Sequence, residues 1–236
     1  MMKRHQRIGV VAVLFLMTLG SPNVMADVVT DWNQRAGDIV VNANIGPLPA
    51  ERALAIVQTS VYEAVNAITQ RYPISDVKLP VVSGASIEAA VAAANRAALT
   101  KLVPSKQTEI DNAYQAALAA IADEATKTRG IAVGEEAAAA VLALRTDDGA
   151  TAGESYRPYT KAGAYVPTVL PEAPQWMHRK PWLMAQSAQF RPGPPPELSS
   201  ELWVRDFNEV KALGSKKSQQ RSADQTEIAR FWEEVM

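Results

Sequence analysis

Few residues of this sequence could do chemistry. It contains two histidines, His5 and His178, and no cysteine. Without thiols it can form no disulfide, no thiolate metal ligand and no thiol nucleophile. His178 is followed by two cations, Arg179 and Lys180, and no second imidazole accompanies it after residue 26. Because a metal site needs several ligands, we assign His178 no ligand role.

An acidic stretch around two glycines has the composition of a calcium loop. Asp147, Asp148 and Glu154 flank Gly149 and Gly153, and calcium prefers such carboxylate oxygens. The spacing does not match an EF-hand, however, and a turn capped by an aspartate is the simpler interpretation. We therefore assign no residue of the sequence a catalytic, cofactor-binding or metal-binding role.

Residues 1–26 have the pattern of a signal peptide. Lys3, Arg4 and Arg7 give it a positive start, and residues 8–20 form the apolar run. Val24-Met25-Ala26 supplies the small residues of a cleavage site. The run is shorter than the roughly 20 residues of a transmembrane helix, so an uncleaved anchor is the less favoured alternative. We predict cleavage after Ala26, export to the periplasm or the medium, and no membrane span in the remaining chain.

The charge balance argues against a nucleic-acid partner. The sequence has 24 Lys plus Arg and 25 Asp plus Glu. Removal of the three leader cations leaves 21 positive side chains against 25 acids. Nucleic-acid-binding domains carry the opposite excess, clustered on one face, so none is predicted here.

Apolar residues recur at helical spacing through residues 27–147, which predicts an all-α fold built on a helical bundle. A short first helix precedes four longer amphipathic ones. Their apolar stripes are Val29-Trp32-Ala36-Ile39, Leu54-Val57-Val61-Val65-Ile68, Ile87-Val91-Ala94-Ala98-Leu102, Ile110-Tyr114-Ala117-Ile121 and Val133-Ala137-Val141-Leu144.

Glycine and proline predict where these helices begin and end. Pro49 fits a first turn, Ser83-Gly84 precedes one helix, Pro104-Ser105 opens the next, and Gly130 is predicted to separate two more. Alanine is abundant between positions 85 and 143. Small side chains let helix axes approach closely, so we expect tight helix packing there.

Prolines over residues 148–198 predict an irregular strap, because each removes a backbone donor and keeps its predecessor extended. Free linkers rarely contain so many aromatics, so we expect Trp176, Trp182 and Phe190 to pack the strap onto the bundle. The prolines at 194–196 are interpreted as a rigid lead-in to the next helix, with a polyproline ligand as the less favoured alternative.

Residues 199–236 are predicted to form a helical hairpin. Gly214 fits a left-handed cap at the end of its first helix, and Ser222 with Gln225 fits a capping box at the start of the second. The apolar stripes of the two helices are Trp203-Phe207-Val210 and Ile228-Phe231-Trp232-Val235. Little chain remains to cover the second stripe, which is typical of a surface awaiting a partner.

Several short segments occur in an order that resembles the N-terminal helical region of vanadium-dependent haloperoxidases, within the superfamily that includes type 2 phosphatidic acid phosphatases. The segments are Trp32-Asn33, Leu54-Ala55-Ile56, Tyr62-Glu63-Ala64-Val65-Asn66-Ala67-Ile68, Asp148-Gly149, Tyr156-Arg157-Pro158, Pro181-Trp182, and the stretches 189–196, 208–214 and 225–232. At Glu63 the related sequences tend to have aspartate. The resemblance implies a helical fold.

The resemblance also implies what chemistry to look for. Such proteins hold vanadate or phosphate with a lysine, two arginines, a Ser-Gly pair and two histidines, which neutralise a multiply charged centre. Their motifs are absent here, because Lys180 and Arg191-Pro192 are wrongly spaced and Ser83-Gly84 is followed by Ala85. Halide oxidation, phosphate ester hydrolysis and the vanadate cofactor are therefore implied only for full-length relatives.

Two hypotheses follow from the position of these segments. In the first, the chain is the non-catalytic front portion of a truncated or split enzyme, inactive alone, whose final helix docks on the missing C-terminal catalytic region. In the second, it is a stand-alone exported helical binding protein that covers its apolar face by self-association. We favour the first, because the sequence ends inside the recognised pattern.

Overall fold

The computed structural model describes residues 27–73, 75 and 77–233, and these residues form helices and irregular segments without strands. The all-α prediction is confirmed. The predicted leader and Val235 lie outside the described residues. The helices are α1 (Val28–Asn42), α2 (Pro47–Thr69), α3 (Ile87–Leu102), α4 (Gln107–Ala119), α5 (Glu124–Leu144), α6 (Glu201–Leu213) and α7 (Ala223–Trp232).

The chain divides after Thr146 into two compact units. The first contains α1 to α5, and α3 lies at its centre, in contact with each of the other four helices. Alanine and β-branched residues fill its core, and the largest fully buried side chains include Ile39, Ile56, Leu99 and Ile110. Two polar side chains, Ser60 and Asn95, are also fully buried and donate to the Ile56 and Val91 carbonyls at 2.8 and 2.9 Å.

Side-chain caps fix where three of these helices begin. Asp27, Ser86 and Asp123 accept hydrogen bonds from the first free backbone amides of α1, α3 and α5. Helix α2 begins instead with Pro47, whose missing amide costs nothing in a first turn, and Pro49 follows in the same turn as predicted.

The predicted helix break at Gly130 is wrong, because α5 runs unbroken from Glu124 to Leu144. Gly130 and Gly134 lie instead where α5 contacts α3. A Cβ at Gly130 would overlap the Ser86 carbonyl oxygen and lie 2.8 Å from the Ala89 Cβ. The two glycines therefore let the helix backbones meet, and the close approach expected from the alanine content is confirmed.

The second unit begins with an irregular segment held by a buried ion pair. The Arg179 guanidinium lies 3.2 Å from the Asp148 carboxylate, and both side chains are largely buried. Asp148 also accepts from the Ala150 amide at 3.0 Å, across a turn in which Gly149 has a φ of +83°. Arg179 stacks 4.4 Å above the Trp176 ring. The capped turn predicted here is confirmed.

Residues 214–222 connect α6 to α7. The capping box of Ser222 and Gln225 is confirmed. The left-handed cap predicted at Gly214 is wrong, since its φ is −76°. Side chains take over the role of such a cap: Ser218 donates to the Ala212 carbonyl at 2.6 Å and Arg221 to the Leu213 carbonyl at 2.7 Å. The last carbonyls of α6 are thus satisfied without left-handed backbone.

Candidate functional site

The residues considered for metal binding lie apart. His178 ends a short 3-10 turn, Pro174–His178, and is exposed. Glu154 pairs with Arg157 at 3.4 Å, whereas Asp148 is bound to Arg179. Across residues 27–73, 75 and 77–233, no three histidine, aspartate or glutamate side chains come together as metal ligands.

Helices α6 and α7 each carry apolar side chains that are exposed or partly exposed, and we call the two stripes together the apolar face. We define this face by Trp203, Phe207, Val210, Ile228, Phe231 and Trp232. Neither helix buries any residue, and Phe231 and Trp232 are 79% and 77% exposed. Trp203 stacks on Phe207 with ring centroids 5.0 Å apart, and Phe231 meets Trp232 edge-on at 5.2 Å. Monomeric proteins rarely leave such a patch uncovered.

The strap aromatics differ in their surroundings. Trp176 is half-buried beneath Arg179, whereas Trp182 is 41% and Phe190 77% exposed. The burial predicted for Phe190 is therefore not found. Packing of the strap onto the bundle stays a prediction.

Clefts open on the first unit. One of about 910 Å³ lies beside the starts of α3 and α5 and contains Asp31, Glu88, Asp123 and Arg35. The helix amides that could bind an anion there are already capped by Ser86 and Asp123. A second cleft, about 790 Å³, is lined by apolar residues of α1 and α2 with Arg71 and Tyr72.

The third cleft contains a buried carboxyl group, and we call it the Glu63 cavity. It has a volume of about 430 Å³. Helix α2 contributes one wall and the segment after α2 the other. The α2 residues are Glu63, Asn66 and Ala67, and those after α2 are Gln70, Tyr72, Val77, Lys78, Leu79 and Val81.

Hydrogen bonds from α2 hold the far wall of the Glu63 cavity. The Asn66 side chain donates to the Tyr72 carbonyl at 3.0 Å and accepts from the Tyr72 amide at 2.8 Å. The Tyr62 hydroxyl donates to the Pro73 carbonyl at 2.9 Å. The chain leaving α2 is therefore fixed to the helix beside the carboxyl group.

Burial determines the electrostatics of Glu63. The residue is only 4% exposed. Desolvation raises the pKa of its carboxyl group, and a hydrogen bond with the Ser75 side chain offsets part of that rise. No charged side chain contributes to this shift in the described part of the chain. Among residues 27–73, 75 and 77–233, Glu63 is thus a buried acid whose pKa is set by burial and not by a neighbouring charge.

No protein-family model, curated protein or solved structure matches this chain. In the part of the chain that the structure describes, no helix is both long and apolar enough to cross a bilayer. The exposed face of α6 and α7 and the Glu63 cavity are the features that bear on function.

The apolar stripes of α6 and α7 are readable from the sequence, whereas the Glu63 cavity was not predicted. Glu63 was considered only as part of a short segment. A signal was present, however, because Glu63 lies between Ser60 and Ala67 on the buried side of α2. Residues three and four positions apart share a helix face. A carboxylate inside such a stripe is a candidate buried acid.

Proposed function

We propose that this chain is the N-terminal, non-catalytic helical portion of an exported protein of the vanadium haloperoxidase or type 2 phosphatase kind. Its role is to support an oxyanion-binding helical region, in the same polypeptide or a separate one, through the apolar face of α6 and α7. The observation that carries the proposal is that face, in which Phe231 and Trp232 are more than three-quarters exposed.

The energetics of the face favour a protein partner. Burial of one large apolar side chain is worth about 1.5–3 kcal/mol. Five of the six residues are at least half-exposed and Trp203 is partly buried, so docking would still gain from covering them. The stacked rings of Trp203 and Phe207 are already ordered against each other, which lowers the cost of binding.

The resemblance identifies the occupant that the proposal commits to. In the family resembled, the residues that hold vanadate or phosphate follow the segments matched here. A helical partner of that kind would bury the apolar face while supplying the lysine, arginines and histidines that the motifs of this chain lack. In this proposal the partner binds the oxyanion, and this chain supplies the surface on which the partner docks.

Titration with vanadate and with inorganic phosphate tests the proposal. The full sequence is expressed in an exporting host, and the mass of the recovered chain shows whether the leader is removed after Ala26. Calorimetry on that chain is expected to show no oxyanion binding. Tight binding would contradict the proposal and would direct attention to Arg191, Arg221 and His178.

The association state separates the two hypotheses. Sedimentation of the exported chain is expected to show open-ended association that decreases when Phe231 and Trp232 are both changed to serine. The matched control changes Tyr165 and Val169 to serine. These two strap residues are 76% and 77% exposed. A discrete, saturable dimer that depends on Phe231 and Trp232 would instead favour the stand-alone binding protein.

A further inference from the structure

The Glu63 cavity has the form of a small-molecule site. Ligand sites are concave, mostly apolar and about 300–1,000 Å³ in volume, with a few polar groups that fix orientation. The Glu63 cavity is about 430 Å³. Apolar walls from Ala67, Val77 and Leu79 surround one carboxyl group.

The carboxyl group favours a cationic ligand. Removing a carboxylate from water is costly unless a positive charge or several donors compensate it. Ser75 supplies a hydroxyl group, and no charged side chain adds to it in the described residues. A ligand that brings a positive charge to Glu63 would therefore recover much of the desolvation cost.

The surrounding groups select an organic cation over a metal ion. Calcium and magnesium take six or more oxygen ligands, and Glu63 is the single carboxylate among the described residues that line this cavity. The Asn66 oxygen is already occupied by the Tyr72 amide. An ammonium group needs only one carboxylate and a few acceptors, and its hydrocarbon body would fit the apolar walls.

We propose that the Glu63 cavity binds a small primary monoamine with an apolar body, whose ammonium group pairs with the Glu63 carboxylate. The body packs between Val77, Leu79 and the Tyr72 ring. Lys78 lines the same cavity and is exposed. Its positive charge weakens amine binding and disfavours ligands with a second ammonium group. This site is independent of the role proposed for α6 and α7.

Calorimetry with 2-phenylethylamine and 2-phenylethanol tests the proposal on the exported chain at about pH 7.5, where the amine is protonated. The two probes share a body and differ in charge. The amine is expected to bind at least about tenfold more tightly than the alcohol. Absence of amine binding, or equal binding of both probes, would overturn the proposal.

Variants locate the site. Glu63→Gln removes the charge with little change in shape and is expected to weaken amine binding at least about tenfold. Glu51→Gln alters an exposed carboxylate of the same helix and is expected to leave binding unchanged. Equal affinity in Glu63→Gln and the wild-type chain would refute the assignment.

Lys78→Ala provides a second test that does not disturb the protein interior. Removing this exposed cation is expected to tighten amine binding several-fold, whereas Lys101→Ala, an exposed change on α3, is expected to have no effect. Weaker amine binding in Lys78→Ala would show that the positive charge of Lys78 does not repel the bound amine, and would contradict the proposal.

Discussion

Replacing Gly134 by alanine tests the packing of the first unit. Gly134 lies in α5 against α3. A Cβ there would overlap the Ala90 carbonyl oxygen and would lie 2.8 Å from both the Ala93 Cβ and the Ala94 nitrogen. These atoms belong to backbone or are Cβ atoms, so none can move aside unless the helices separate.

The expected effect is a loss of stability despite a gain in helix propensity. Overpacking a core costs about 1–3 kcal/mol, and rigid neighbours place Gly134→Ala near the upper end. Alanine is favoured over glycine in a helix by about 0.8–1.0 kcal/mol. The difference predicts that the free energy of unfolding falls by about 2 kcal/mol.

Gly37→Ala is the matched control. Gly37 lies in α1, and a Cβ there would meet no atom within 4 Å. The same substitution should therefore raise the free energy of unfolding by about 1 kcal/mol. Urea unfolding followed by circular dichroism at the helix band measures both variants. Equal free energies of unfolding for Gly134→Ala and Gly37→Ala would contradict the close contact of α5 with α3 at Gly134.

Three further predictions concern caps, titration and the buried ion pair. Ser86→Ala removes the cap of α3 and should lower the free energy of unfolding by about 1 kcal/mol in urea; an unchanged midpoint would contradict the cap. Burial raises the pKa of Glu63, so protonation of Glu63 favours the folded state. The free energy of unfolding of the wild-type chain therefore falls as pH rises through the folded-state pKa. Glu63→Gln should therefore gain stability relative to wild type between about pH 4 and pH 7.5 in urea titrations, and a constant difference would count against a raised pKa. Asp148→Asn weakens the buried ion pair with Arg179 and should expose residues 149–180 to proteolysis, whereas Asp206→Asn breaks an exposed pair and should not.

Helical periodicity was sufficient to predict where the helices of the first unit lie. Each predicted stripe falls within one helix, except that Ile121 lies beyond the end of α4. The outer helices bury one side and expose the other, whereas the central helix α3 is buried on several sides over residues 89–95. Pro49 lies in the first turn of α2 as predicted, and Ser83-Gly84 precedes α3, although the cap of α3 is Ser86. These features depend on local chemistry, which a sequence displays directly.

Features that depend on a distant segment were not predictable in the same way. Gly130 has the local character of a helix breaker, and only contact with α3 explains why α5 continues through it. Gly214 has the character of a left-handed cap, yet Ser218 and Arg221 satisfy the same carbonyls from the following turn. Local propensity was overridden by contact with another helix at Gly130 and by side chains of the following loop at Gly214.

The Glu63 cavity is a further example of this limit. Its far wall comes from residues after α2, and Asn66 and Tyr62 hold that wall in place. The spacing within α2 could have marked Glu63 as facing inward. The volume beside it follows from the path of the chain beyond Gln70, which ends α2 in a left-handed conformation with a φ of 51°.

The contact between α3 and α5 also affects the entropy of folding. Alanine and glycine lose essentially no rotamer freedom on burial, whereas leucine or isoleucine loses about 0.5–1 kcal/mol per side chain. Where Gly130 and Gly134 meet Ala89, Ala90, Ala93 and Ala94, two helices are joined without any χ angle being frozen. The ordering cost of this contact therefore lies almost wholly in the backbone, and its strength should depend on how fully the two helices are formed.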